Sequence, residues 1–189
     1  MKIAVNTRLL IPNKLEGIGY FTHRCLSQLC SDHPEVEWIF IFDRAYDPSF
    51  IYNEHVKAKV LAPPTRHPFI WYFWFEWLLP RLLKRERVDL FLSPDGYLVP
   101  PGPYRQIPVM HDLNFEHHPE YLSWIPRKYM QHFFPKSVAR AQRIATVSEY
   151  SKQDLVATYG AEAARIDVVP NGVDEEFAPI AKEAQAEIR

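Results

Sequence analysis

The stretch from Ile144 to Phe177 limits the fold more than any other part of the chain, because it spells a strand, a helix and a second strand with a signal at each junction. Ile144 to Val147 is short, apolar and β-branched, as a buried strand requires. Ser148 follows where a helix N-cap belongs, and Glu149 puts negative charge at the positive end of the helix dipole. Leu155, Val156 and Tyr159 are expected on one apolar helical face, and Gly160 stands where a left-handed residue would stop the helix. Ile166 to Val169 is the next strand, closed by Pro170, Asn171 and Gly172. Two strands joined by a helix must run parallel, so the rest of the chain has to supply a sheet with helices on both faces.

It does so by repetition. Lys2 to Thr7, Val36 to Phe42, Ala58 to Leu61, Val88 to Ser93 and Ile107 to Met110 read as five further strands. Ile18, Phe21, Cys25, Leu26 and Leu29 recur at helical spacing after a loop that ends in Gly17, Ile18 and Gly19. Pro126 opens another helix, with Met130, Phe133, Phe134, Val138 and Ala141 on its buried face and a kink expected at Pro135. The expected fold is a doubly wound, mostly parallel Rossmann-like α/β sheet, whose ligands gather beyond the carboxyl ends of the strands.

A chain of 189 residues can bury roughly 70% of its unfolded surface without a staple. Cys25 and Cys30 point to different sides of the first helix and carry no metal-ligand spacing, so they read as reduced thiols. The formal net charge of −1 gives no pull toward nucleic acid. No apolar run reaches the roughly 18 residues of a spanning helix, and the first strand starts at once, so a cytoplasmic protein without a signal peptide is expected.

Two segments resemble a known family. Val147, Ser148, Glu149, Tyr150, Ser151, Lys152, Asp154 and Leu155, followed by Val168, Val169, Pro170, Asn171, Gly172, Val173, Asp174, Phe177 and Pro179, are similar in order and spacing to the end of the N-terminal domain of family 4 glycosyltransferases. That is the large retaining group with the GT-B fold, built of two Rossmann-like halves. The resemblance implies that residues 1–178 are the N-terminal, acceptor-side half and that 179–189 begin a linker or terminal helix. It also implies that a C-terminal donor-binding half, absent from this sequence, supplies most of the nucleotide site, so these residues alone are expected to be inactive.

Candidate site residues follow strand ends. Gly17 and Gly19 let backbone amides approach an anion at a helix N-terminus, although a turn that merely needs small residues explains them as well. The resemblance turns them toward the diphosphate of a nucleotide sugar. His111 and Asp112 directly follow the fifth strand, and the resemblance places the histidine near the reacting carbon of the donor sugar, with Asp112 orienting the loop. The competing reading is a histidine satisfied by backbone. Asp95 and Tyr97, after the fourth strand, offer a carboxylate and a phenol to an acceptor, or a plain Pro94-Asp95-Gly96 turn. Asn171 is a hinge or cleft residue. His111, Asp112, Glu116, His117 and His118 look like a metal cluster, but adjacent His117 and His118 point apart in an extended chain and no helical ligand pair is present. No metal or cofactor is expected; the partners are a nucleotide sugar and a glycan or lipid-linked acceptor, as in polysaccharide biosynthesis.

The aromatic run Phe69 to Trp77, followed by Arg81, Lys84, Arg85 and Arg87, is expected as a buried core helix with a solvated basic end. Its second reading is a peripheral patch at the inner face of a membrane. Two other functions fit the alternation without the family: a non-catalytic sugar- or nucleotide-binding module, and one half of a sugar-nucleotide epimerase.

Overall fold

The strands are apolar at consecutive positions because helices cover both faces of the sheet. In β2 (Glu37–Phe42), Trp38, Phe40 and Phe42 join one core cluster, with Ile3 and Val5 of β1 (Lys2–Asn6) and Leu26 and Cys30 of α1 (Gly17–Asp32). The alternate residues Ile39 and Ile41, with Ala4, join the other cluster. Period-two alternation thus sorts one strand into two cores, and burying each large apolar side chain contributes roughly 1.5–3 kcal/mol.

The computed structural model describes residues 1–172. Seven strands form one sheet in the order β3-β2-β1-β4-β5-β6-β7, every pair parallel. The others are β3 (Val56–Val60), β4 (Leu90–Ser93), β5 (Arg105–Met110), β6 (Ile144–Thr146) and β7 (Ile166–Val168). Chain direction across the sheet reverses at β1, which lies between β2 and β4, so the loops leaving β1 and β4 part and open a crevice at their carboxyl ends. All seven expected strands are present. The third starts two residues earlier than expected, since Val56 is buried where the polar connection was expected to continue.

The βαβ unit that begins at Ile144 forms as its junction signals require. Ser148 caps α6 (Glu149–Tyr159) by accepting a hydrogen bond from the Ser151 amide at 3.0 Å, worth about 1 kcal/mol, and Gly160 ends it at φ 65°. Its buried stripe is Ser151 and Leu155, four apart; Val156 turns outward, contrary to expectation. α1 begins at Gly17, so the expected Gly17-Ile18-Gly19 loop is its first turn. Pro135 lies inside α5 (Trp124–Arg140), whose buried face carries Phe133, Phe134, Ser137 and Val138.

The aromatic run divides. Residues 68–86 form α2 (Pro68–Phe73), a π-helical turn (Trp74–Leu78) and α3 (Leu79–Glu86). Trp71, Trp74 and Phe75 are buried against the sheet, whereas Phe69 is 80% exposed and Trp77 50% exposed, with Tyr72 and Phe73 also outward. The expectation of burial all round is corrected: the segment has one side on the core and a second in solvent. The basic residues Lys84 and Arg85 occupy the last turn of α3, where the dipole favours positive charge, and Arg87 caps it at φ 53°. Among the described residues no helix is long and apolar enough to cross a membrane. Val173, Asp174, Phe177 and Pro179 of the motif, and the residues from 179 onward, lie outside the described residues.

Candidate active site

A single loop, that leaving β4, organises the carboxyl edge of the sheet. Gly96 turns it at φ 84°, in the left-handed region, with its amide on the Ser93 carbonyl. A Cβ there would lie 3.0 Å from Phe134 and 3.1 Å from the Met110 sulfur, so both conformation and space require glycine. Asp95, 6% exposed, accepts from the Ser93 hydroxyl at 2.9 Å and from Arg8 Nε at 2.7 Å, with the Tyr97 amide at 3.4 Å. Asn6 Nδ2 donates to Ser93 Oγ at 3.2 Å, which ties the ends of β1 and β4 together.

The same loop orients His111. Nε2 lies 2.9 Å from the Pro94 carbonyl, an acceptor only, so Nε2 carries the proton and Nδ1 is left as an acceptor. Phe21 of α1 meets the imidazole edge-on at 5.0 Å, and the His111 carbonyl accepts from Ser151 Oγ at 3.0 Å. The backbone-satisfied reading therefore holds for one ring nitrogen. The other makes no hydrogen bond among the described residues and, in the neutral ring, can accept one.

Beside His111 stands the start of α1. The Glu16 side chain makes no capping bond, and the amides of Gly17, Ile18 and Gly19 have no acceptor among the described residues. Gly17 is open to its surroundings, while a Cβ on Gly19 would meet the Leu9 carbonyl oxygen at 3.0 Å, so Gly19 is also a packing position. Asp112 is exposed and accepts from the Asn114 amide at 2.9 Å, turning the loop into α4 (Asn114–His117). Asn171 is exposed in the last described stretch, and nothing there joins it to the other residues.

The histidine and carboxylate run after β5 is dispersed among separate partners. His117 pairs with Asp154 at 2.8 Å, Glu116 accepts from Gln131 and Tyr159, and His118 lies beside Glu120 and stacks on Tyr121. Among the described residues no group of three metal-binding side chains forms.

Sequence reasoning missed Arg8, Asp43 and the aromatic wall of Trp71 and Tyr129. Asp43, at the end of β2, is fully buried; desolvation works to raise its pKa, but hydrogen bonds from Arg44 and Thr65 prevail and hold it below the usual carboxylate range. Thr65 is thereby pinned at the rim of a cavity of about 210 Å³ that Arg8, Trp71, Tyr97 and Tyr129 also line. Burial, then the Asp95 charge, raises the Tyr97 phenol above its ordinary pKa, so it stays neutral. A charged residue two positions past the first strand, Arg8, was the one signal in the sequence for this cavity.

Comparison with known proteins bears on the family and the fold. The family model for Glycosyltransferase Family 4 matches residues 16–177, most of the chain. The chain belongs to glycosyltransferase family 4. Among solved structures, it is similar to a glycosyltransferase from Rickettsia africae ESF-5, at 14% identity and a TM-score of 0.53 over 99% of this chain and 48% of that one. It is also similar to Anabaena Alr3699/HepE, crystallised in complex with UDP and glucose, at 13% identity and a TM-score of 0.56 over 100% of this chain and 49% of that one. At such identity the likeness establishes the fold, and the chain spans about half the length of both structures. A search of curated proteins finds no match.

Proposed function

We propose that this chain forms the acceptor-side wall of a cleft in which a retaining glycosyltransferase moves a sugar from a nucleotide-sugar donor to a glycan or lipid-linked acceptor hydroxyl. The observation that carries the reading is the β4 loop, which holds His111 through Pro94 and Arg8 through Asp95 at one sheet edge, beside the uncapped first turn of α1. A second β/α half facing this edge supplies most of the nucleotide site, so residues 1–189 alone give no appreciable turnover.

The acceptor oxygen bonds to the anomeric carbon as the bond to diphosphate breaks, and the acceptor proton leaves with the diphosphate. Charge builds on the leaving group, and in this reading the amides at Gly17 to Gly19 stabilise it without a metal. His111 Nδ1 accepts a hydrogen bond from a donor-sugar hydroxyl and orients the ring near the reacting carbon. Asp95 and Asp112 act as positioning residues, and Asn171 lies toward the hinge. The outward face of Phe69, Tyr72, Phe73 and Trp77, with Arg81 over the Trp77 ring, supports peripheral contact with the inner face of an anionic membrane, where a lipid-linked acceptor resides.

The test is transfer from sugar nucleotides with both halves present, read as product formation and anomeric configuration by NMR. His111→Ala is expected to lower kcat by about 10²-fold while the urea midpoint falls by only about 0.5 M, the loss of the Pro94 hydrogen bond. Wild-type kcat in that variant, or product with inverted configuration, would refute the reading.

A further inference from the structure

The geometry points to the cavity at the ends of β1, β3 and β4 as a subsite for a negatively charged sugar residue of the acceptor. For the word acceptor this rests on the transferase reading; the binding claim stands on the cavity itself.

Arg8 is the central group. Its side chain is 15% exposed, and its Nε–H is taken by Asp95. The terminal nitrogens of the guanidinium have no hydrogen-bond acceptor among the described residues, although the side chain lines the cavity. A guanidinium held by one edge, with its fork of N–H donors unspent, matches a carboxylate or a phosphate in two-point geometry. The ring faces of Phe75 and Tyr97, 5.8 and 5.9 Å from the guanidinium carbon, hold the cation in place.

The carboxylates nearby are already engaged, Asp95 with Arg8 and Asp43 with Arg44 and Thr65. Asp95 is behind Arg8 rather than on the cavity wall, Arg66 and His67 stand at the mouth, and no carboxylate lines the space among the described residues. Trp71 meets Tyr97 at 4.4 Å and Tyr129 at 4.8 Å, both edge-to-face, forming an apolar corner opposite the polar Thr65 rim. Aromatic walls with a few convergent polar groups are what a sugar ring with one charged substituent requires. A volume of about 210 Å³ is below the roughly 300–1,000 Å³ of sites for drug-sized ligands, which suits one ring and not a whole nucleotide.

The experiment is an NMR titration of the 189-residue chain, following the Trp71 indole N–H and the Arg8 Nε–H, with methyl glucuronide, glucose 1-phosphate, neutral methyl glucoside, inorganic phosphate and UMP as probes. A charged sugar is expected to shift both signals to saturation and to bind at least about tenfold more tightly than the neutral glycoside. Preference for the glucuronide assigns a uronic-acid acceptor; preference for the sugar phosphate assigns a phosphorylated one. The variant R8Q/D95N removes both members of the ion pair, leaves no buried carboxylate unpaired, and should erase the preference for charge. Equal binding of the neutral glycoside, an equal response to inorganic phosphate or UMP, or an undiminished preference in R8Q/D95N each overturns the proposal. Should that variant fail to fold, the charged-to-neutral ratio in the wild type decides alone. No donor or turnover enters these readouts, so failure here leaves the transferase reading standing, and failure of transfer leaves this binding result standing.

Discussion

Replacing Asp95 with asparagine tests whether the β4 loop is the organiser of the site, because it removes a charge while keeping the shape. The carboxylate receives Arg8 Nε at 2.7 Å and the Ser93 hydroxyl at 2.9 Å, with the Tyr97 amide at 3.4 Å. An amide has one acceptor atom for these donors. With its oxygen toward Ser93 and Tyr97, its NH2 group opposes Arg8 Nε–H; flipped, it opposes the Tyr97 amide. The charged hydrogen bond is worth about 1.5–3 kcal/mol. Breaking a fully buried pair costs about 3–5 kcal/mol, but water reaches the partly exposed Arg8, so the lower figure applies. D95N is therefore expected to lose about 2 kcal/mol, a large share of a typical total of about 5–15 kcal/mol. With a slope near 2 kcal/mol/M, the urea midpoint should fall by about 1 M at unchanged slope. A double-mutant cycle with Arg8→Met should show that R8M costs less in the D95N background than in the wild type. A D95N midpoint at the wild-type value, or zero coupling, would refute the account.

Gly96→Ala should cost about 2–4 kcal/mol, combining left-handed strain of about 1–2 kcal/mol with crowding against Phe134 and Met110; thermal unfolding that moves by less than about 2 °C would contradict this. The Asp43 pKa is depressed in the fold, so its contribution is present above the unfolded value of about 3.9 and is lost as pH falls through the lower folded value. Asp43→Asn should accordingly lower stability at pH 7 and flatten the loss that sets in below about pH 4, measured as urea midpoint against pH; an unchanged acid limb would exclude the assignment. Flotation with phosphatidylglycerol vesicles should recover the wild-type chain, and the variant Phe69→Ser/Trp77→Ser should bind several-fold less; equal recovery with phosphatidylcholine vesicles, or no effect of the variant, would remove the membrane contact.

The parts of this fold that were legible in the sequence are those whose cause lies within a few residues. Ser148 caps α6 because a hydroxyl at that position reaches an amide three residues on, and Gly160 ends it because only glycine takes the left-handed turn cheaply. Seven strands were visible because apolar runs between turn signals need no knowledge of their neighbours. Misreadings came where two local patterns were equally good: Val156 or Ser151 on the buried face of α6, and an aromatic helix with no polar stripe to say which side meets the sheet.

Family membership and the α/β alternation were thus determined by the sequence itself, through short-range periodicity and two ordered motifs. The site was decided by strand order. Arg8 and Asp95 are 87 residues apart and meet only because β4 docks beside β1, and His111 is turned toward its place by the Pro94 carbonyl of that same loop. A charged side chain carries no mark in the sequence of which carboxylate will neutralise it. That is settled when the sheet assembles, since Coulomb and hydrogen-bond partners are chosen by distance in space, whereas periodicity and capping are chosen by distance along the chain.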